Sequence, residues 1–401
     1  MEERYAITKR GRLGSAPEDD KELTLLNRIV RWIDGVGLEI EADPRQAERL
    51  VAQLGLEGAN PVSTPGVKAT TLELEQDEGI HDARGKVYQA GTARSNYIGP
   101  DRPETQYATK ECCRQMSAPS ELALKSLKRI GRFVEGHKRL VLRMDFEEDS
   151  GQVDAYVDSD YAGCPRTRKS TSGGCIMRGT HLIRYWSSTQ NAIILSSGEA
   201  ELYAMVKGVG VGIGVQQLMT DLSVEGGLRV HTDSSAAKGI CKRVGLGTQR
   251  HIAVNSLWVQ EKLRQKEFAL FKVKGDDNPA DLLTKHLNSE KMIRCLHFMS
   301  AEFREGRSPA APQRKGDDII LGEDMDWQIM DAVREEYDDD EAELRLVREC
   351  EEFEDHLDGL KIELQDMEEV HVAAEDCGDD TGATMGTTND GGRTLPWLQL
   401  A

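Results

Sequence analysis

Four carboxylates stand where strand and helix patterns begin or end: Asp158, Glu201, Asp233 and Asp281. Asp158 and Asp233 each close a short apolar run typical of a β-strand, and small residues follow both. A side chain at the carboxyl end of a strand lies where open α/β sheets bind their ligands. Taken singly, such an acid could equally cap the next helix. Four of them, separated by predicted strands and helices, favour a shared site.

Carboxylates packed within a few ångströms repel one another, and this repulsion raises their pKa values. They stay ionised when a cation neutralises them, and Mg²⁺ prefers oxygen ligands. Two such ions about 4 Å apart form a clamp for in-line attack on a phosphodiester. The four acids therefore predict a site for two Mg²⁺ ions, with Mn²⁺ as a substitute.

Seven motifs in a fixed order contain or surround these acids over residues 152–287. They are Y-V-D-S-D-Y-A-G from Tyr156, R-K-S-T-S-G-G from Arg168, Y-W-S-S-T-Q from Tyr185, L-S-S-G-E-A-E-L-Y-A from Leu195, H-T-D-S-S-A-A from His231, R-H-I from Arg250 and N-P-A-D-L-L-T-K from Asn278. This series resembles the ribonuclease H domain of copia-type LTR retrotransposon Pol polyproteins.

The resemblance implies an α/β fold, with a ribonuclease H-like mixed five-stranded sheet and flanking helices. It places Asp158, Glu201, Asp233 and Asp281 on the family's catalytic, metal-binding carboxylates. The implied activity is metal-dependent cleavage of the RNA strand of RNA–DNA hybrids. The implied partners are the hybrid and other parts of the polyprotein. The alternative is a degenerate copy that binds nucleic acid or a partner without cleaving it.

The predicted segments are a disordered N-terminus (1–21), a reverse transcriptase remnant (22–146), a ribonuclease H-like domain (147–300) and an acidic tail (301–401) with helical spacing over 341–370. The remnant resembles the region after the reverse transcriptase palm, through D-P-R-Q-A-E-R-L from Asp43 and D-R-P-E-T-Q-Y-A-T-K-E from Asp101. It is expected to form a mainly helical connection. A polymerase Y-x-D-D hairpin is missing before residue 152, so this chain alone is not expected to be a competent reverse transcriptase.

Periodicity within 147–300 predicts the order of the elements. Strands are expected near 152–158, 173–179, 182–187, 228–232 and 268–273, and helices near 197–218, 234–243, 251–265 and 279–287. The first three strands follow one another like hairpins, whereas the last two alternate with helices. This succession predicts antiparallel pairing among the early strands and parallel pairing among the later ones.

Two of the four acids have close competitors. Asp160 would share a sheet face with Asp158 if the strand continued, but the apolar run ends at Val157, which favours Asp160 as a turn residue. Glu199 and Glu201 lie about 200° apart on a helix. The small and apolar neighbours of Glu201 favour it for the site, and Glu199 is expected at the surface or at the helix N-terminus.

Contacts to nucleic acid are predicted in the first hairpin loop, after the third strand and on a basic helix face near residues 120–135. The loop offers charge and hydroxyl donors to phosphates, although a plain polar turn has the same composition. The tryptophan is either a core side chain or a ring against the hybrid. The basic helix face is either solvated or binds the phosphate backbone. The predicted residues are Arg168, Lys169, Ser170, Thr171, Trp186, Gln190, Lys128 and Arg132.

Two features depart from the family pattern. The loop 271–281 lacks the His that retroviral and cellular ribonucleases H carry before the last Asp. Glycines alternate through the helix after Glu201, at positions 208, 210, 212 and 214. Each costs roughly 1 kcal/mol of helix stability relative to Ala. This pattern predicts a decaying or shortened helix and lowers the expectation of activity.

The net charge of the 401-residue chain is −19, which is unusual for a nucleic-acid enzyme. Residues 317–380 contain 27 Asp and Glu against 4 Lys and Arg, so the rest of the chain carries +4. The sequence has no secretory segment and no apolar run of about 18 residues. Its eight cysteines include no C-x-x-C pair, as expected of a reduced protein. An intracellular chain, cytoplasmic or nuclear and without a membrane partner, is therefore predicted.

Overall fold

Residues 11–247 and 254–312 are described in a computed structural model of the chain. The strands are β1 (Glu22–Leu25), β2 (Arg28–Ile33), β3 (Gly37–Glu41), β4 (Arg139–Asp145), β5 (Gln152–Asp160), β6 (Thr171–Arg178), β7 (His181–Thr189), β8 (Gly227–Thr232), β9 (Phe268–Lys272) and β10 (Ala301–Arg304). The α-helices are α1 (Pro44–Gln53), α2 (Thr71–Glu75), α3 (Ala83–Ile98), α4 (Pro103–Cys113), α5 (Glu121–Gly136), α6 (Ser197–Asp221), α7 (Ser235–Lys242), α8 (Trp258–Arg264) and α9 (Ser289–Phe298). Short 3-10 turns lie at Gly99–Asp101, Val254–Leu257, Gly275–Asp277 and Pro279–Leu283.

The sheet that carries the predicted acids has the strand order β7-β6-β5-β8-β9. The pairs β5–β6 and β6–β7 are antiparallel, whereas β5–β8 and β8–β9 are parallel. The predicted ribonuclease H-like mixed sheet with flanking helices is confirmed. One predicted helix, 279–287, is only the 3-10 turn Pro279–Leu283. Asn278 caps this turn, and Thr284 leaves it to bond Asp158.

A second sheet, which the sequence did not predict, has the order β1-β2-β3-β4-β10 with antiparallel neighbours throughout. Four of its strands come from 22–146, so the expectation of a mainly helical connection was incomplete. The fifth strand, β10, pairs with β4 and lies beyond the predicted boundary at residue 300. A short edge strand of four residues gives too weak a local pattern to be recognised without its partner.

The two predicted segments 22–146 and 147–300 share one hydrophobic core. Phe133 of α5 and Cys175 of β6 belong to the same buried cluster, as does Leu283. The fully buried Lys110 of α4 donates a hydrogen bond to Thr171 Oγ1 of β6 over 2.8 Å. Removing residues 22–146 would expose this core, and experiments therefore require the full chain.

The N-terminal segment is described from residue 11. There the Asp20 N–H donates to the Arg12 carbonyl over 2.7 Å, and the Asp19 carboxylate accepts from the Ala16 N–H. These bonds form an ordered loop in part of the segment predicted to be disordered.

The possible helix at 341–370 lies outside the described residues. Among the helices that the structure describes, none is both long and apolar enough to cross a membrane.

Helix α6 is not shortened, because it runs for 25 residues from its Ser196 cap. Two of its glycines face the sheet. A methyl group at Gly208 would overlap Val157 of β5, and one at Gly212 would lie 2.7 Å from Leu228 of β8. The glycines therefore let the helix approach the sheet closely. The prediction of a decaying helix was wrong, because a single sequence does not show which glycines face a packing partner.

Candidate metal centre

The parallel pairing of the two central strands places Asp158 beside Asp233. Tyr156 of β5 lies opposite His231 of β8. Two residues after each of them comes an acid, Asp158 and Asp233 respectively. Asp158 is 2% exposed near the end of β5, and Asp233 follows the last residue of β8. Because parallel strands end at the same edge of a sheet, their carboxylates meet there.

Helix α6 brings Glu201 to the same edge. The buried Gln190, just after β7, donates from Nε2 to the Ala200 carbonyl and to Ser172 Oγ, each over 2.8 Å. It thereby fixes the helical turn next to Glu201 against the sheet. Asp158, Glu201 and Asp233 each offer an oxygen, and these oxygens all lie within 4.8 Å of one another. Glu201 Oε2 is buried and has no hydrogen-bond partner.

The 3-10 turn Pro279–Leu283 brings the fourth acid, Asp281, close to Asp158. Asn278 Nδ2 donates to the Val157 carbonyl over 3.0 Å, which attaches the turn to β5. Gly173 of β6 has no side chain to hold the turn away, since a Cβ there would lie 2.8 Å from the Leu283 carbonyl oxygen. The Asn of the N-P-A-D motif therefore holds this turn against β5.

Two lysines and a threonine, none of them predicted, complete the site. Lys285 Nζ lies 2.7 Å from Asp281 Oδ1 and 3.4 Å from Asp158 Oδ2. Lys291 of α9 forms an ion pair with Asp281 Oδ2, and the Thr284 hydroxyl donates to Asp158 Oδ2. The four-residue spacing of Asp281 and Lys285 was the available sequence signal for the first of these pairs.

The chain is similar in sequence to known polyproteins. No protein-family model matches the chain. The chain is 26% identical over 246 residues to the retrovirus-related Pol polyprotein from transposon RE1 of Arabidopsis thaliana, an alignment that covers 60% of the chain and 16% of the polyprotein. It is also 26% identical over 261 residues to the retrovirus-related Pol polyprotein from transposon TNT 1-94 of Nicotiana tabacum, covering 63% and 19% respectively.

The chain is therefore similar in sequence to retrovirus-related Pol polyproteins. It spans less than a fifth of the length of these two relatives. An uncharacterized mitochondrial protein of Arabidopsis thaliana is 28% identical over 189 residues, covering 42% of the chain and 72% of that protein. A solved ribonuclease H domain from Mycobacterium tuberculosis, fused to maltose-binding protein, matches 36% of the chain at 13% identity with a TM-score of 0.24. The predicted resemblance to Pol polyproteins is confirmed.

Burial controls the protonation of two acids in this chain. It raises the pKa of Asp158 from 3.8 to about 7, although the ammonium of Lys285 opposes the shift. It also raises the pKa of Glu201 from 4.5 to about 8, with further contributions from the charges of Asp158 and Asp233. A cation among these oxygens would restore their ionised forms. The unpaired Glu201 Oε2 and the all-oxygen donor set fit a hard divalent ion.

The raised pKa values predict that the metal-free protein loses stability as the pH rises. In the unfolded chain Asp158 and Glu201 release their protons near pH 4, whereas in the fold they hold them until about pH 7–8. Between these values the folded state binds more protons, so the free energy of unfolding falls with pH. We expect a loss of roughly 3–6 kcal/mol between pH 5 and pH 8.5. Urea unfolding in EDTA measures it.

The same titration with Asp158→Asn is the control, and its pH dependence should be clearly flatter. Excess Mg²⁺ should restore much of the lost stability at pH 8.5, because an ion that binds only the folded state stabilises it. Metal-free stability that rises from pH 5 to pH 8.5 would contradict the described burial of these acids.

The competing acids lie outside the three-acid cluster. Asp160 is the last residue of β5, not a turn residue. Glu199 lies at the helix N-terminus, as one of its two predicted positions required. It is nevertheless buried, and its carboxylate accepts a hydrogen bond from the Leu195 N–H over 3.1 Å.

Four of the side chains predicted to contact nucleic acid are buried and make contacts within the protein. Trp186 is 8% exposed in the core beside Gly208. Ser170 Oγ accepts the Ala162 N–H, whereas Thr171 and Gln190 make the buried bonds described above. The spacing of polar residues along a hairpin does not reveal which face the partner strands cover.

The other four side chains predicted to contact nucleic acid are at least partly exposed to solvent. Arg168 and Lys128 are exposed, and Lys169 is half-buried. Arg132 is also half-buried and donates from Nε to the Asn60 carbonyl over 2.8 Å. Side chains on the basic face of α5 therefore contact other parts of the protein, which neither earlier interpretation included. Lys125 of the same face pairs with Glu73 over 2.6 Å.

Proposed function

We propose that this chain is the ribonuclease H part of a retrotransposon polyprotein and cleaves the RNA strand of RNA–DNA hybrids in a reaction that requires Mg²⁺, with Mn²⁺ as a substitute. The observation that carries the proposal is the meeting of Asp158, Glu201 and Asp233 at one edge of a ribonuclease H-like sheet. The homology to Pol polyproteins supports it.

The three acids would hold the ion, and each is fixed by a different element: a strand end, a helix and a second strand end. When bound, the ion would activate water and neutralise charge that develops at phosphorus. The protein's own contribution is position. Gln190 fixes the turn beside Glu201, and the Thr284 hydroxyl fixes the Asp158 carboxylate.

The hybrid would approach from the edge of the sheet where the acids lie. The β5–β6 loop leaves the sheet at that edge and carries Arg168 and Lys169, which would contact phosphates. Such contacts do not depend on sequence and weaken with salt. An RNA-containing duplex is favoured over DNA because its wide, shallow minor groove displays 2′-hydroxyl groups.

The test incubates the full chain with a labelled RNA–DNA hybrid, in Mg²⁺ or in EDTA, beside an all-DNA duplex. We expect loss of the RNA strand in Mg²⁺ alone, restoration of cleavage by Mn²⁺ after EDTA treatment, and no cleavage of the DNA duplex. Hybrid binding without cleavage would reject the nuclease proposal and support the degenerate copy.

A further inference from the structure

The charges around the candidate metal centre are not those of four free acids. Asp281 is held by two ammonium groups, one from Lys285 and one from Lys291. Four carboxylates and two lysines leave a charge of −2 at the site when all are ionised. One divalent cation neutralises that charge, whereas two would leave an excess of +2.

The position of Lys285 matters more than its charge. Its Nζ lies between the two acids, 2.7 Å from Asp281 Oδ1 and 3.4 Å from Asp158 Oδ2. A cation that bridged these oxygens would need the space that the ammonium fills, at about 2.1 Å from each oxygen for Mg²⁺. The lysine and a bridging ion therefore exclude each other by volume and by repulsion.

The position between Asp158, Glu201 and Asp233 is not filled by a lysine of this pair. Asp158, Glu201 and Asp233 bring oxygens within 4.8 Å of one another, and Glu201 Oε2 has no partner. Among the described residues, Lys285 and Lys291 form ion pairs with Asp158, Asp276 and Asp281, and neither lysine pairs with Glu201 or Asp233.

We infer that Lys285 occupies the place of a second cation between Asp158 and Asp281, so that the chain binds one divalent ion at the three-acid position. This inference rests on the proposed function, because it assumes that the acids hold a metal. It differs from the sequence prediction of two ions, and it gives Lys285 a defined role in metal stoichiometry.

The experiment counts Mn²⁺ ions bound to the full chain by calorimetric titration and by electron paramagnetic resonance, without substrate. Asp158→Asn supplies the background from acidic segments elsewhere, which is subtracted. We expect one site-specific ion in the unmutated protein and two in Lys285→Gln. In Lys285→Gln the two bound ions should give the electron paramagnetic resonance signal of two coupled Mn²⁺ ions. The double variant Lys285→Gln with Asp281→Asn should lose the second ion.

Two variants control for charge and for folding. Lys274→Gln removes an equal charge from an exposed side chain beside the site, and it should retain one ion. Lys285→Arg keeps the cation and should also retain one ion, which tests the inference even if Lys285→Gln does not fold. Circular dichroism and urea unfolding establish the folded state of each variant.

Each outcome decides the inference. Two site-specific ions in the unmutated protein or in Lys285→Arg would overturn it, and would leave the proposed nuclease intact. If folded Lys285→Gln still bound only one site-specific ion, the inference would be overturned and the proposed function would remain. The absence of any site-specific ion in the unmutated protein would overturn both the inference and the metal requirement of the proposed function.

Discussion

Replacing Asp158 by Asn is expected to reduce hybrid cleavage by roughly 10³-fold or more. The substitution removes a carboxylate from the three-acid cluster, and metal stabilisation of charge at phosphorus contributes several kcal/mol to such reactions. Each 1.36 kcal/mol corresponds to a tenfold change in rate. The fold should survive, because the Asn oxygen can still accept the Thr284 hydroxyl.

Hybrid binding by Asp158→Asn should persist or strengthen, since one negative charge that faces the phosphates is gone. The measurements are single-turnover cleavage and hybrid binding by the full chain at fixed salt. Asp160→Asn is the matched control: it removes an equal charge two residues along the same strand, outside the three-acid cluster. We expect it to retain cleavage within about threefold. Loss in Asp160→Asn with retention in Asp158→Asn would reverse the assignment.

Alanine at the glycines of α6 is expected to have opposite effects on the two faces of the helix. Gly208→Ala should lower the free energy of unfolding by about 1–3 kcal/mol, because its methyl group would overlap Val157 and overpack the core. Gly212→Ala should act in the same direction, with Leu228 as the group that must move. Urea unfolding of the full chain measures both changes.

Gly210→Ala and Gly214→Ala are the matched controls in the same helix. A Cβ at either position meets no atom within 4 Å, so each should raise the free energy of unfolding by up to about 1 kcal/mol through helix propensity. Equal stabilisation by all four substitutions would mean that the helix lies farther from β5 and β8 than described.

The sequence by itself determined the mixed sheet and the approximate positions of its strands. Short apolar runs before Asp158 and Asp233 are local signals, and the succession of hairpins and helices specifies which strands pair in parallel. Because parallel strands end at one edge, the approach of these two acids followed from the order of elements alone. The helical position of Glu201 was equally readable from its neighbours.

Only the tertiary structure decided which polar side chains are buried and which cations accompany the acids. Thr171 is covered because Lys110 reaches it from a helix 61 residues away in sequence, and Lys291 reaches Asp281 from the following helix. The space beside Gly208 likewise depends on Val157 of a distant strand. Local patterns encode periodicity and turns, whereas burial and ion pairing arise from long-range contacts that exist only after the chain has folded.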